Sequence, residues 1–160
     1  MPIAIESPNQ PDVIRLIEEL DAYQVPLYPL ESHHGIDIAD LCEAKVVFAV
    51  ARSSDGQAVG CGAVVLSKEY GELKRMYVHP GSRGQGIGKA LLAFLELQAS
   101  AAGLTAFKLE TGSKQTQAID FYSRSGYVEC APFGDYTEDP NSVFMSKTQA
   151  KATSLSGDDE

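Results

Sequence analysis

The chain is 160 residues long, 44% of them hydrophobic and 22% charged, with a formal net charge of −9 at pH 7. That length and composition suffice for one domain with a buried core, and they exclude a largely disordered protein. The acidic balance argues against nucleic-acid binding, and the absence of an apolar run of about 18 to 20 residues argues against a membrane span.

The N-terminal quarter of the sequence predicts one amphipathic helix followed by irregular structure. A helix from Pro11 to about Tyr23 is indicated by apolar residues spaced three and four apart, namely Val13, Leu16, Ile17 and Leu20. Residues 25–43 contain prolines and several acids, which predict a loop with a short helix around 38–42.

Three strands are predicted next, because β-branched and small residues replace the helical pattern. Segments 46–52 and 58–67 flank Asp55-Gly56, a pair typical of tight hairpin turns, so we expect two antiparallel strands. A third strand follows over residues 71–80 and is closed by Pro80.

The second half of the chain alternates helices and strands. Apolar residues at helical spacing predict a helix that begins at Ile87 and stops at Gly103. The remaining elements are a strand, a shorter helix and two final strands, over residues 105–111, 117–125, 127–131 and 142–147. Residues 148–160 have little to bury, so we expect a disordered acidic tail after a single domain of residues 1–147.

The sequence Arg83-Gly84-Gln85-Gly86-Ile87-Gly88 places three glycines at the start of a predicted helix. It does not match the dinucleotide fingerprint, because Lys89 takes the third glycine position, nor a P-loop, which needs Gly at position 83 and Ser or Thr at position 90. A helix N-terminus with small side chains exposes backbone N–H groups that bind phosphate oxygens, and Arg83 can add a charge-assisted hydrogen bond. The residues favour an anion-binding loop over a turn that only connects a strand to a helix.

These residues carry a family resemblance. The loop, with the preceding strand LKRMYVHP and the following helix GKALLAFLE, resembles the Q/R-x-x-G-x-G/A acetyl-coenzyme A signature of the GNAT superfamily of N-acetyltransferases. Downstream, QAIDFYSRSGY resembles the family's N-x-x-A-x-x-F-Y-x-x-x-G-F/Y segment, with Gln115 where asparagine is frequent. The order of predicted elements fits the family from about residue 3 to residue 147.

The resemblance implies a fold and a co-substrate. The implied α/β fold is three-layered and α+β-like, with about four helices around a mixed, mostly antiparallel sheet of about seven strands. Its fourth and fifth strands splay apart to admit acetyl-coenzyme A, whose pantetheine arm would pair with Met76, Tyr77 and Val78. The other implied cofactor contacts are Arg83, Gly84, Gln85, Gly86, Ile87, Gly88 and Lys89 for the pyrophosphate, together with Gln115 and Tyr122.

Acetyl transfer to an amine needs a base for the amine, a donor to the oxyanion and an acid for the departing thiolate. Glu72 precedes the glycine loop by a spacing similar to that of a glutamate base in several family members; Glu110 and a water are alternative bases. Strand alternation places four residues on one face beside the cofactor arm, namely Glu72, Lys74, Met76 and Val78. A solvent-exposed Glu72, or one paired with Lys74 or Lys68, is the structural alternative.

Tyr122 lies where the family's motif commonly places the tyrosine that protonates the coenzyme A thiolate. A phenol with an ordinary pKa of about 10 suits that step, so we predict Tyr122 as the catalytic acid. Core packing is the alternative, because Ala118, Phe121 and Tyr122 share one apolar helical face. The backbone N–H of Val78 is the candidate donor to the oxyanion.

The resemblance also implies that the acceptor approaches from the side opposite the cofactor, near the first helices, their connecting loop and the final strands. Its candidate contacts are Tyr28, Glu31, Arg75, Phe133 and Tyr136. Acidic residues in this region favour an acceptor with a cationic group, whereas basic residues favour an acceptor with a carboxylate. The sequence does not decide between these two classes of acceptor. The acids are Glu31, Asp37 and Asp135, and the bases are Arg52, Lys74 and Arg75.

The sequence therefore predicts an N-acetyltransferase that moves the acetyl group of acetyl-coenzyme A to a primary amine of a small molecule or amino acid. Transfer is expected to be direct, in a ternary complex, because no histidine is spaced to activate Cys61 as a nucleophile. A peptide or protein N-terminus or lysine is the alternative acceptor, and a non-catalytic coenzyme A sensor is the alternative from another class.

The cysteines, histidines and N-terminus of the sequence bear on metal binding, localisation and macromolecular partners. The three cysteines lack CxxC spacing and His33-His34 are sequence neighbours in a loop, so no metal is expected. The N-terminus shows no basic head before an apolar core, which predicts a cytoplasmic protein without membrane or nucleic-acid partners. The family resemblance allows a homodimer.

Overall fold

The computed structural model describes residues 2–29 and 37–149. In that part of the chain the strands are β1 (Ile3–Ile5), β2 (Val46–Arg52), β3 (Ala58–Leu66), β4 (Gly71–Val78), β5 (Ala106–Gly112), β6 (Val128–Cys130) and β7 (Ser142–Thr148). The α-helices are α1 (Pro11–Gln24), α2 (Ile38–Leu41), α3 (Ile87–Ala101) and α4 (Thr116–Arg124). Glu31, His33, His34 and the tail from residue 150 onward lie outside the described residues.

The strands form one seven-stranded sheet in the order β1-β2-β3-β4-β5-β7-β6. Every neighbouring pair is antiparallel except β4 and β5, which are parallel. This arrangement confirms the predicted mixed, mostly antiparallel sheet with four flanking helices. Among the described helices, none is long and apolar enough to cross a membrane.

The elements predicted from periodicity are present, and one further strand is not apparent from the pattern. Helix α1 buries the four predicted apolar residues, and α3 ends just before Gly103, whose φ is +94°. Strand β1 has three residues, too few to show a period of two. It is held by pairing with β2, where Arg52 binds Glu6 at 2.7 Å and Asp12 at 2.8 Å.

The core lies on both faces of the sheet. Helix α3 packs on one face through Leu91, Leu92 and Leu95, each at most 3% exposed. Helix α1 covers the other face beside β2 and β3, with Val13 fully buried there. Two covered faces hold the central strands rigidly, so that a site between β4 and β5 rests on a fixed scaffold.

Strand β4 contains a bulge at Arg75, whose φ of +57° lies in the left-handed region. The register between β3 and β4 shifts between Cys61 and Ala63, so Gly62 lies opposite both Arg75 and Met76. An extra residue in one strand bends it and reverses the direction of the side chains that follow.

The prediction that alternation places Glu72, Lys74, Met76 and Val78 on one face was therefore wrong. Glu72 and Lys74 lie before the bulge, on the face of the sheet that α1 covers. Lys74 is paired with Ala63 of β3, and Ala63 packs in the apolar cluster with α1. Met76 and Val78 lie after it and pack with the apolar cluster under α3.

Strands β4 and β5 pair only from Gly71 to Leu73 on β4 and from Phe107 to Leu109 on β5. Beyond those residues β5 continues along β7, and β4 continues along β3. The two strands thus separate towards their C-terminal ends, which confirms the predicted splay.

Candidate active site

A cavity of about 440 Å³ opens where β4 and β5 separate. Its walls come from the end of α1 and the turn after it, from both strands, and from α4. Of the predicted site residues, it brings together Tyr28, Glu72, Arg75, Met76, Glu110, Gln115 and Tyr122. Tyr77, Val78 and the glycine loop lie outside its lining, as do Phe133 and Tyr136.

Tyr122 is the most deeply buried of the predicted catalytic groups. Its side chain packs edge-on against the rings of Phe121 and Tyr127, at centroid distances of 5.2 and 5.7 Å, and the residue is 8% exposed. Among residues 2–29 and 37–149, none forms a hydrogen bond with its hydroxyl. Burial raises the pKa of Tyr122, so the hydroxyl keeps its proton well above neutral pH. A protonated phenol at a cavity wall, without a partner among the described residues, is available to donate its hydrogen to a molecule bound in the cavity.

Glu72 lies in a compact polar cluster with Lys74 and Tyr136. Tyr136 donates its hydroxyl hydrogen to Glu72 Oε2 at 2.6 Å, and Lys74 Nζ lies 3.3 Å from the same oxygen. Lys74 Nζ also donates to the Tyr136 hydroxyl at 2.8 Å. Within the described chain, Glu72 Oε1 accepts no hydrogen bond. The pairing with Lys74 considered from the sequence is present, and one oxygen stays open for a proton.

Glu110 is the second carboxylate in the cavity wall. Glu72 is in register with Lys108 across the parallel pair, so Glu110, two residues further on, shares the face of Glu72. Ser142 donates its hydroxyl hydrogen to Glu110 Oε2 at 2.7 Å. Both candidate bases therefore open onto the same space.

The glycine loop leads directly into α3. Gly84 and Gly86 have φ values of +82° and +78°, and a Cβ on either would meet nothing within 4 Å. These glycines are required by backbone conformation, and the space beside them is open. In the described structure, no group accepts a hydrogen bond from the backbone N–H of Gly86, Ile87, Gly88 or Lys89. The loop thus presents unpaired donors at the positive end of a fifteen-residue helix.

Arg83 and Val78 connect this loop to β4. Val78 pairs with Gly60, and the next residue, His79, donates its N–H to Val59 O at 2.8 Å. In an antiparallel ladder that pattern directs the N–H and C=O of Val78 away from β3, towards the side where β5 has departed. Arg83 Nε donates to Val78 O at 2.9 Å, so the carbonyl is occupied.

His79 follows β4 directly and lies at the start of the turn that leads to the glycine loop. Its Nδ1 lies 2.9 Å from Glu19 Oε1 of α1, and Tyr77 donates its hydroxyl hydrogen to the same oxygen at 3.0 Å. Both contacts lower the pKa of Glu19, the one with His79 most. They fix the end of β4 against α1.

Two of the predicted acceptor contacts, Phe133 and Tyr136, do not line the cavity themselves. Phe133, 7% exposed, packs against the rings of Tyr70, Tyr136 and Phe144. The hydroxyl of Tyr136 contacts Glu72 and Lys74 in the cavity wall. Arg52 belongs to the network with Glu6 and Asp12 near β1. Asp37 lines the cavity and Asp135 does not.

Asp21 and Gln24 also line the cavity and were missed from the sequence. Arg75 Nη1 lies 2.5 Å from Asp21 Oδ1, which joins α1 to the bulge. The sequence contained a pattern that could have identified them. Asp21 and Gln24 continue the buried face of α1 one turn beyond Ile17 and Leu20. Polar residues that extend an apolar helical face indicate a site where that face leaves the core.

Cys61 is fully buried on β3, and its Sγ lies 3.5 Å from the backbone oxygen of Arg75. Burial raises the pKa of its thiol to about 12. The thiolate is the nucleophilic form, so this cysteine is inert at neutral pH.

Replacing Cys61 by Ala is expected to leave kcat within about twofold of wild type, since the thiol takes no part in transfer. Steady-state turnover of acetyl-coenzyme A and intact-protein mass after incubation with it are the measurements. Loss of turnover in a variant with a wild-type melting temperature, or acetylation of Cys61 in the parent protein, would contradict the direct route.

Over residues 2–29 and 37–149, no group of three or more His, Cys, Asp or Glu side chains is arranged to bind a metal ion.

Comparison with known proteins identifies the family. The chain matches the acetyltransferase (GNAT) domain over residues 44–129. It is 50% identical over 147 residues to the IAA acetyltransferase of Azospirillum brasilense, covering 91% of this chain and 95% of that protein. It is 33% identical to the uncharacterized N-acetyltransferase YsnE of Bacillus subtilis, covering 92% and 99%.

Solved structures agree with this assignment. A Klebsiella pneumoniae protein solved as a candidate acyl-CoA N-acyltransferase superposes with a TM-score of 0.78 at 40% identity, covering 92% of this chain and 96% of that one. An aminoglycoside 6'-N-acetyltransferase complexed with coenzyme A shares the fold, with a TM-score of 0.69 at 19% identity over 92% and 97% of the two chains. The sheet with its splayed strands, the glycine loop and these relatives agree: the chain belongs to the GNAT family and is an acyltransferase.

Proposed function

We propose that this enzyme moves the acetyl group of acetyl-coenzyme A to a primary amine of a small molecule or amino acid, by direct transfer in a ternary complex. The observation that carries the proposal is the unpaired, buried hydroxyl of Tyr122. It lines the same cavity as the carboxylates of Glu72 and Glu110. A proton donor and candidate proton acceptors around one cavity are what transfer between a thioester and an amine requires.

The residues present suit a coenzyme A thioester. The unpaired N–H groups of residues 86–89 would hold the pyrophosphate. The Arg83 guanidinium lies over the Tyr77 ring at 5.5 Å, and its Nη groups donate no hydrogen bond to the described residues, so they could reach the same phosphates. The N–H of Val78, directed away from β3, would pair with the pantetheine arm or the acyl oxygen. When bound, acetyl-coenzyme A supplies an acyl group activated as a thioester.

Each proton transfer then has a candidate residue. Glu72 Oε1 or a carboxylate oxygen of Glu110 accepts the proton that the attacking amine must lose, directly or through water. The Val78 N–H donates to the acyl oxygen as negative charge grows there. Tyr122 donates its hydroxyl proton to the departing sulfur.

The charges around the cavity support a cationic amine more than a carboxylate. Its described lining includes more acids than bases, namely Asp21, Asp37, Glu72 and Glu110 against Lys74 and Arg75. Both bases are already engaged, Lys74 with Glu72 at 3.3 Å and Arg75 with Asp21 at 2.5 Å. An ammonium group entering this space meets surplus negative charge, which concentrates amines near the base.

The test is thiol release from acetyl-coenzyme A by the full chain, with kanamycin, spermidine, tyramine and L-methionine as amines and an unblocked peptide containing lysine as a fifth acceptor. We expect turnover with at least one small amine and an N-acetylated product by mass spectrometry. Turnover of the peptide alone would assign a protein acceptor. Absence of turnover with every amine, in a folded protein that binds acetyl-coenzyme A, would overturn the small-amine proposal.

A further inference from the structure

The side chain of Tyr28 joins two parts of the cavity wall that are 87 residues apart in sequence. Its hydroxyl donates to Gln115 Oε1 at 3.3 Å and accepts the backbone N–H of Lys114 at 3.1 Å. Gln115 Oε1 also accepts the backbone N–H of Gly112 at 3.1 Å, which fixes the orientation of the amide, since an N–H can only donate. We call Tyr28, Gly112, Lys114 and Gln115 the Tyr28 bridge.

The contact between Tyr28 and the end of β5 depends on the absence of a side chain at Gly112. A Cβ at Gly112 would overlap the hydroxyl and Cζ of Tyr28 and would lie 2.6 Å from Gln115 Oε1. Its φ is not among the positive values, so the glycine serves close approach and not an unusual backbone conformation. The ring of Tyr28 therefore rests directly on the end of β5, in a space that exists because residue 112 has no side chain.

The two ends of the bridge belong to opposite sides of the proposed reaction. Tyr28 follows α1 and its turn, on the wall expected to meet the acceptor. Gln115 precedes α4, and its carbonyl accepts the N–H of Ile119 at 3.1 Å in the first turn of that helix. Helix α4 carries Tyr122. Burial raises the pKa of Tyr28, so its hydroxyl stays protonated and remains a donor.

We propose that Tyr28 is a positioning residue, an inference that rests on the proposed function: its hydroxyl fixes the start of α4 against the acceptor-side wall. The bridge thereby sets where Tyr122 stands relative to the bound amine. Tyr28 transfers no proton in this account. It acts through Gln115 and the first turn of α4, so its loss should alter geometry at a distance.

Amide hydrogen exchange read residue by residue tests the bridge without any acceptor. In Tyr28→Phe the ring remains and the hydroxyl is lost, so the Lys114 amide should exchange about tenfold faster, as expected for one hydrogen bond. The amide of Ile119 should also exchange faster, because the start of α4 is released. Tyr23→Phe is the matched control: Tyr23 is 52% exposed on α1, and its variant should leave both amides unchanged.

Gln115 provides a second pair of variants. Gln115→Leu removes the acceptor oxygen, so the Gly112 amide should lose protection, whereas Gln115→Glu keeps an acceptor at that position and should retain it. If Tyr28→Phe fails to accelerate Lys114, or accelerates Lys114 without Ile119, the bridge does not position α4 and the inference is overturned.

Kinetics with the best amine of the panel complete the test. Tyr28→Phe should lower kcat and raise the KM of the amine, each by about three- to tenfold, while the Kd of acetyl-coenzyme A stays within about twofold. Altered exchange with unchanged kinetics would mean a purely structural contact and would overturn the positioning role. If the wild type acetylates no amine, the proposed function fails, and the joint behaviour of Lys114 and Ile119 still decides the bridge.

Discussion

Replacing Tyr122 by Phe is expected to lower kcat by about 10²- to 10⁴-fold, the usual effect of removing a general acid. The Kd of acetyl-coenzyme A should stay within about threefold, because the ring and its packing remain. The hydroxyl has no hydrogen-bond partner within residues 2–29 and 37–149, so its removal breaks no internal hydrogen bond. Stopped turnover with retained binding and an unchanged melting temperature would therefore locate the effect in proton transfer. Steady-state kinetics, calorimetric titration and thermal unfolding supply the three readouts.

Tyr70→Phe is the matched control for this variant. Tyr70 also packs edge-on against an aromatic ring, that of Phe133 at 5.4 Å, but does not line the cavity. It should retain wild-type kcat. The pKa of Tyr122 is raised by burial, so deprotonation of this phenol should not limit kcat at neutral or mildly basic pH. A Tyr122→Phe enzyme that retained more than about a third of wild-type kcat would reassign this residue to core packing.

Gly86→Glu is expected to weaken acetyl-coenzyme A binding by about a hundredfold or more, since it places a carboxylate where a pyrophosphate would bind. Gly86 has a φ of +78° at the N-terminus of α3, so a side chain there also strains the backbone. Gly86→Ala separates the two effects, because it adds the strain without the charge. Calorimetric titration of acetyl-coenzyme A into each variant is the measurement.

Gly103→Glu controls for strain and charge together. Gly103 has a φ of +94° and, like Gly86, nothing within 4 Å of an added Cβ, but it follows the C-terminal end of the same helix. This variant should keep wild-type affinity if it remains folded. Equal loss of affinity in Gly86→Glu and Gly103→Glu, or wild-type affinity in both, would return the loop to a structural turn.

Local sequence signals predicted most of the fold. Apolar residues at helical spacing placed α1 and α3, and Asp55-Gly56 placed the turn between β2 and β3. The glycine loop could be proposed as an anion site from the sequence because the signal is local, with consecutive N–H groups at a helix start, and anion binding there stays a prediction. The splay between β4 and β5 was implied by the family resemblance, and their parallel pairing was seen only in the structure, since no residue pattern reports which strands without a hairpin turn between them become neighbours.

The contacts that arrange the cavity could not be read from the sequence. The bulge at Arg75 moves the side chains of Met76 and Val78 to the opposite face of the sheet. The residue pattern of β4 does not indicate that Arg75 adopts a left-handed backbone conformation. Tyr136 meets Glu72 across 64 residues, and Tyr28 meets Gln115 across 87. Such pairs follow from the tertiary fold, in which side-chain partners depend on strand register and loop paths.

The most direct test of the central claim follows an isotope-labelled acetyl group from acetyl-coenzyme A. The wild-type chain is incubated with the labelled compound and each amine of the panel, and mass spectrometry is applied to both the small molecules and the intact protein. Direct transfer predicts label in the amide of an N-acetylated product and none on the protein. Label retained on the protein before product forms, or label released as acetate with no amide, would contradict the account.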